Sequence, residues 1–215
     1  MTIPLRKADD ETKDLDMAAV MRALPTEEAT DAAIIEQSLR EPETFAAIFD
    51  RYYALIHGYA ARRLGASLAD DVAAETFLIA FDGRTKYELS RPDARPWLYG
   101  IASNLISRHH RAEVRQYRAL ARTGVDEATE GHADRVAVRL DAQAHRGRLA
   151  EALAEIPDAD RDVLLLVAWA ELTSEKAGEA LGIPAGTARS RLHRARKRIR
   201  AALGRTDPTT TREDR

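Results

Sequence analysis

Apolar positions along this chain recur at intervals of three and four rather than two, which predicts helices throughout. Between Asp31 and about Leu120 four helical segments are marked off by Pro42, Gly65 and the polar stretch Asp82–Arg95, which contains Gly83 and Pro92. In the second, Phe45, Ile48, Phe49, Tyr52, Ile56 and Tyr59 predict a core face. In the fourth, Pro96 suits a first turn, and Trp97, Leu98, Ile101, Ala102, Leu105 and Ile106 make an inward stripe. Periodicity then lapses until Arg148, where Leu149, Leu153 and Ile156 open a further helix ended by Pro157. Val163, Leu164, Val167 and Ala168 predict a very apolar helix. The next begins with Thr173 as N-cap, sets Glu175 in the positive end of the dipole and closes at Gly182. A last helix follows Pro184 and buries Ala188, Leu192, Ala195, Ile199 and Ala202.

The expected fold is therefore all-α: two small helical domains joined by a flexible acidic linker. Residues 1–30 read as an acidic, disordered leader, 31–116 as a four-helix domain, 117–146 as the linker, 147–204 as a helix-turn-helix domain, and 205–215 as a disordered tail. The leader holds a short apolar patch, Met17 to Leu24, that suits a helical turn or two on a partner.

Charge changes the picture at the C-terminal end. Between Gly186 and Arg205 stand Arg189, Arg191, Arg194, Arg196, Lys197, Arg198, Arg200 and Arg205 with no acidic residue among them. The formal net charge of −2 hides this, because removing those eight cations leaves a body of about −10. A helix with one dry face and a crowded positive remainder is best explained by a polyanion, and DNA is the natural candidate. A second cationic run, Arg108 to Arg118, carries four arginines, two histidines and a single glutamate. With no cysteine the chain has no disulfides or thiolate zinc sites, and no apolar stretch reaches bilayer length. The N-terminus lacks the apolar core of a secretory signal, so a cytoplasmic location is expected, without membrane insertion.

No catalytic residues, metal ligands or cofactors are expected. The carboxylates sit on helical faces without a nearby nucleophile, His109 and His110 point in different directions as helical neighbours, and no phosphate-cradling glycine loop occurs.

Two patches, LADDVAAETFLIAF (68–81) with PWLYGIASNLISRHHR (96–111), and ALAEIPDADRDVLLLVAWAELTSEKAGEALGIPAGTARSRLHRAR (152–196), occur in one order on either side of an acidic stretch. In this the chain resembles the extracytoplasmic-function sigma factors, the promoter-recognition subunits of bacterial RNA polymerase. The resemblance covers about Asp31 to Leu203 and implies a non-catalytic subunit that binds core polymerase, recognises the minus-35 and minus-10 promoter elements and promotes strand opening. It implies that Asp70, Asp71, Glu75 and Phe77 lie on the helix that docks on a coiled coil of the largest catalytic subunit, with Phe77 equally suited to the core. For minus-35 it implies Gly186, Thr187, Arg189, Ser190, His193 and Arg194, and helical spacing away from the buried stripe adds Lys197. For minus-10 it points to Asn104, with Ser107, Arg108 and Arg111 on the same polar face and the loop 82–93 setting which flipped base is accepted. Trp97 and Tyr99 read as core in preference to base-stacking. An anti-sigma partner is also implied.

The chain departs from the family's pattern at Arg108, where an aspartate is usual, at Ala74 in place of glutamine, and at Ala177 with Gly178 in place of a larger aliphatic and an alanine. The last pair predicts a loosely packed reading domain. The competing readings are an ordinary helix-turn-helix regulator that binds DNA independently of polymerase, and an interaction module that sequesters a partner.

Overall fold

The computed structural model describes residues 29–123 and 145–204. The leader up to residue 28, most of the stretch read as linker and the tail lie outside the described residues. Nine α-helices occur among the described residues: α1 (Asp31–Ser38), α2 (Ala46–Leu64), α3 (Ala66–Gly83), α4 (Arg95–Arg108), α5 (His110–Thr123), α6 (145–155), α7 (Asp158–Ala168), α8 (Ser174–Ala180) and α9 (Ala185–Leu203). Short 3-10 turns at Pro42–Phe45 and Arg84–Lys86 enter α2 and leave α3.

Local chemistry accounts for most of the boundaries. Thr30 caps α1 by accepting from the Ala33 amide at 3.3 Å, and Thr173 caps α8 by accepting from Lys176 at 3.2 Å. Gly65 separates α2 from α3 at φ 86°, a backbone region open to glycine at little cost. Asp31 fastens α1 to the rest: its buried carboxylate accepts from the Ala94 amide at 2.7 Å and the Tyr52 hydroxyl at 2.6 Å, and it pairs with Arg51.

The fourth predicted helix is two helices. Its chain turns at His109 (φ −101°, ψ 23°), whose amide donates back to Ile106 and Ser107, and α5 then sets off afresh at His110. The new direction carries Glu113 and Tyr117 inward, where both are buried. The helix continues to Thr123, so residues 117–123, read as linker, are helical and Tyr117 is a core residue.

The apolar core runs without interruption from α1 to α9. Ile48, Tyr52, Ile56 and Tyr59 of α2 are buried as expected, and Phe45 packs edge-on against Phe81 at 5.5 Å. Phe49 does not join them. It is 40% exposed and lies over Phe77 and Tyr53 at centroid distances of 5.0 and 4.8 Å. On α9, Ala188, Leu192 and Ala195 are buried and Ile199 partly so, but Ala202 in the last turn is exposed.

A charged seam joins α2 and α5 to α7. Arg63 donates to Glu113 at 2.5 Å, to the Tyr59 hydroxyl at 2.8 Å and across the seam to Asp162 at 2.6 Å. Arg161 answers from the other side, donating to Glu113 at 3.0 Å, to Asp158 at 2.7 Å and to the carbonyls of Leu153 and Ile156. Burial disfavours the charge on Glu113, yet the two guanidiniums more than offset this and hold its carboxyl below the usual range. Burial pushes Asp162 the other way, above the usual range, in spite of Arg63. Beside this cluster α4 crosses α8 so closely that a Cβ on Gly100 would stand 2.3 Å from the Ala180 carbonyl oxygen.

Candidate nucleic-acid interface

The helix-turn-helix is formed by α8, a turn through Gly182 at φ 63°, and α9. Its packing is close. A Cβ on Gly178 would meet the Ile183 carbonyl oxygen at 2.9 Å and the Ala188 Cβ at 3.3 Å, so this glycine lets the two helices touch. The expectation of a loosely packed reading domain is corrected here: Ala177 and Gly178 are both buried, and their small size is what the crossing requires.

With Ala188, Leu192 and Ala195 turned inward, α9 leaves Gly186, Arg189, Ser190, His193, Arg194 and Lys197 exposed, and Thr187 partly so, on the opposite side. Arg189 approaches Glu175 of α8 at 3.5 Å, a spacing that leaves it free to swing. Arg194 is held more firmly, gripping Asp160 of α7 through two hydrogen bonds. Ser190 donates to the Gly186 carbonyl at 3.0 Å. The outward face of α9 is therefore cationic from Arg189 to Arg200, and Pro184 at its N-cap leaves the first-turn amides without a side-chain cap.

The second polar face belongs to α4 and the start of α5. Asn104, Ser107, Arg108 and Arg111 are all exposed, while Ser103, Leu105 and Ile106 between them are buried. Tyr99 is a core residue, edge-on to Tyr59 at 5.2 Å, and Trp97 packs on Tyr87 at 4.9 Å. Next to this face, the loop 87–94 is closed by the Tyr87 hydroxyl donating to the Arg91 carbonyl at 2.7 Å and by Asp93, which accepts from Arg95 and from Lys176 of α8. Burial works against ionisation of Asp93, but these hydrogen bonds hold its carboxyl well below the usual range.

The acidic face of α3 presents Asp70, Asp71 and Glu75 to solvent, with Asp70 76% exposed and paired to His57 at 3.0 Å. Glu75 lies 3.5 Å from Arg108, so the acidic and cationic faces meet edge to edge. Phe77, by its sequence equally suited to core and interface, is buried at 5% exposure. The apolar surface beside the carboxylates is supplied by Leu78, 61% exposed, and by Phe49. No helix among the described residues is long and apolar enough to cross a membrane.

The residues that the sequence pattern did not single out are Arg63, Glu113, Arg161 and Asp162 of the seam. The only sequence signal was Glu113 standing alone in the cationic run Arg108–Arg118.

Comparison with known proteins agrees with these two units. The family model for sigma-70 region 2 matches residues 48–116 and that for sigma-70 region 4 matches residues 146–199. The chain is 30% identical over 173 residues to the ECF RNA polymerase sigma factor SigW of Bacillus subtilis (strain 168), covering 76% of this chain and 90% of that protein. It is also 30% identical over 166 residues to the ECF RNA polymerase sigma factor SigL of Mycobacterium tuberculosis (strain ATCC 25618 / H37Rv), covering 76% and 90%. Among solved structures, CnrH in complex with the cytosolic domain of CnrY is similar with a TM-score of 0.55 and 20% identity, over 80% of this chain and 96% of that one. The sigma factor RpoE in complex with the anti-sigma factor NepR from Bartonella quintana gives 0.52 and 20%, over 76% and 98%. The helix-turn-helix, the helices before it and these relatives over nearly their whole lengths lead to one conclusion: the chain belongs to the extracytoplasmic-function family of RNA polymerase sigma factors.

Proposed function

We propose that α9 reads the minus-35 element in the major groove through Arg189, Ser190, His193, Arg194 and Lys197, with Gly186 and Thr187 against phosphate at the helix N-terminus. Asn104, Ser107, Arg108 and Arg111 then take the non-template strand at minus-10, and Asp70, Asp71 and Glu75, with Leu78 in the apolar role first given to Phe77, dock on core polymerase. Residues 31–116 and 147–204 are the two working domains of this reading. The chemistry is left to the polymerase, and the chain acts in the cytoplasm beside it as a non-catalytic subunit. The observation that supports this best is that, on α4, the start of α5 and α9, the residues assigned to DNA are exposed, Thr187 partly so, while the apolar positions between them are buried.

Arg108 in place of an acidic residue adds attraction for the strand being separated, and its contact with Glu75 ties that strand's site to the polymerase-docking face. An anti-sigma partner is part of the proposal, since one similar structure holds a sigma factor with such a protein.

The test is transcription from a reconstituted system of core polymerase, this chain and promoter fragments. Transcripts that need both proteins, lost with Asn104→Ala at unchanged duplex binding, are the expected result. Tight binding to a palindromic duplex, unaffected by core polymerase, would support an independent regulator instead.

A further inference from the structure

The cationic run of α9 continues past the residues assigned to DNA, and two of its arginines border an apolar cavity instead. Arg196 and Arg200 stand four residues apart, about 6 Å along the helix axis, and both are exposed. With Leu149 and Leu153 of α6, Leu164 and Leu165 of α7, Trp169 and Ile199, they line a cavity of about 350 Å³. That volume lies within the range of small-molecule sites, roughly 300–1,000 Å³. A second cavity of about 250 Å³ shares Leu149, Leu153 and Trp169 with the first and carries the apolar wall on to Tyr117 and Leu120 of α5. Leu149, in the wall of both, is 38% exposed, so the space is open to solvent. Among the described residues no carboxylate lines either cavity. The contrast with the rest of α9 is one of charge balance. Arg189 has Glu175 nearby and Arg194 holds Asp160, whereas among the described residues neither Arg196 nor Arg200 is paired with a carboxylate.

We propose that this cavity binds a small amphiphilic acid, a free carboxylate on a single alkyl chain, with its head on Arg196 and Arg200 and its chain among Leu149, Leu153, Leu164 and Trp169. The lining is complementary to such a molecule at both ends. Its leucines and indole take a hydrocarbon out of water, and each methylene buried there adds to the affinity. The two guanidiniums present forked donors that match the two oxygens of a carboxylate. Like charges four residues apart on a helix also repel each other, and an anion between them turns that repulsion into attraction. A cationic head would meet the opposite balance, and an uncharged one would leave both arginines to water. None of the lining residues belongs to the faces assigned to promoter or polymerase, so the site stands or falls separately from them.

The test is isothermal titration calorimetry of the full chain at neutral pH with octanoate, decanoate and dodecanoate, each below its micelle-forming concentration. One saturable site is expected, with affinity rising about fourfold for each added methylene until the cavity is filled. Decanol, of equal chain length, is expected to bind about tenfold more weakly than decanoate. Arg196→Gln with Arg200→Gln is expected to bring decanoate down to the affinity of decanol. Arg40→Gln with Arg115→Gln removes the same charge from exposed positions outside both cavities and is expected to leave the affinity unchanged. Leu149→Trp fills the shared wall from a position already exposed, which spares the core, and is expected to weaken all three acids. No saturable binding at millimolar acid, affinity indifferent to chain length, decanol as tight as decanoate, equal losses in the two double-arginine variants, or unaltered binding by Leu149→Trp would each overturn the site. So would a concentration-dependent dimer of the parent chain that Leu149→Trp breaks, because the groove would then belong to a second copy.

Discussion

Arg194 forks onto Asp160: its Nε and a terminal nitrogen donate to the two carboxylate oxygens at 3.0 and 2.7 Å. The residue best suited to grip a guanine is thus already occupied, by a carboxylate that is itself buried at 7% side-chain exposure.

Removing that carboxylate frees the cation. Asp160→Asn is expected to raise affinity for duplex DNA at low salt and to steepen the log–log dependence on salt by up to about 0.9, the contribution of one neutralised phosphate. Fluorescence anisotropy across a salt series checks this. An unchanged slope would mean that Arg194 never reaches the backbone.

Gly178→Ala is expected to destabilise the protein by about 1–3 kcal/mol, although alanine is the better helix former, because its methyl group enters the α8–α9 crossing 2.9 Å from a carbonyl oxygen. Urea denaturation gives the sign directly. A stabilised variant would show that the crossing yields easily.

Glu113→Ala leaves Arg63 and Arg161 facing each other without the carboxylate between them. A loss of about 3–5 kcal/mol is expected, as for other buried pairs broken from one side. Glu113→Gln keeps the shape and hydrogen-bonding capacity, so a loss as large as that of alanine would identify charge as the term that matters. Chemical denaturation of both variants at neutral pH separates the two contributions.

Alkaline pH should weaken the fold. Burial raises the hydroxyls of Tyr52, Tyr59, Tyr87, Tyr99 and Tyr117 above the ordinary phenol value, to about 12 for Tyr87 and Tyr99. Above about pH 10 the unfolded chain releases these protons and the folded chain keeps them, so the unfolded state binds fewer protons and stability falls as pH rises. Each such tyrosine contributes a slope of at most about 1.4 kcal/mol per pH unit, with none expected below about pH 9. Urea midpoints between pH 8 and 11.5, with phenolate absorbance followed in parallel, test the sign.

What was legible in the chain, and what was not, follows from the range of the interactions. Thr173 was readable as a cap because an N-cap and the amide it serves are three residues apart. The buried stripes of α2, α4 and α9 were readable because their period is local. The break at His109 left no such trace. No proline or glycine stands there, and what the turn serves is distant in sequence: it brings Glu113 to Arg63, 50 residues before it. Gly178 carried the opposite difficulty, since composition alone makes a mid-helix glycine a weakness and only the position of Ile183 and Ala188 turns it into a contact. Phe49 fits the core spacing of α2 yet is 40% exposed, whereas Phe77 on α3 is buried at 5% with the rings of Phe49 and Tyr53 packed over it, a difference that spacing alone does not carry.

Asp31 has one more consequence. Its amide donates to the Pro92 carbonyl at 3.2 Å while its carboxylate holds the Ala94 amide, so the first described helix is stitched directly to the loop 87–94. One buried side chain thus fixes the relative position of α1 and the loop 87–94, so a change at Asp31 is felt in both at once.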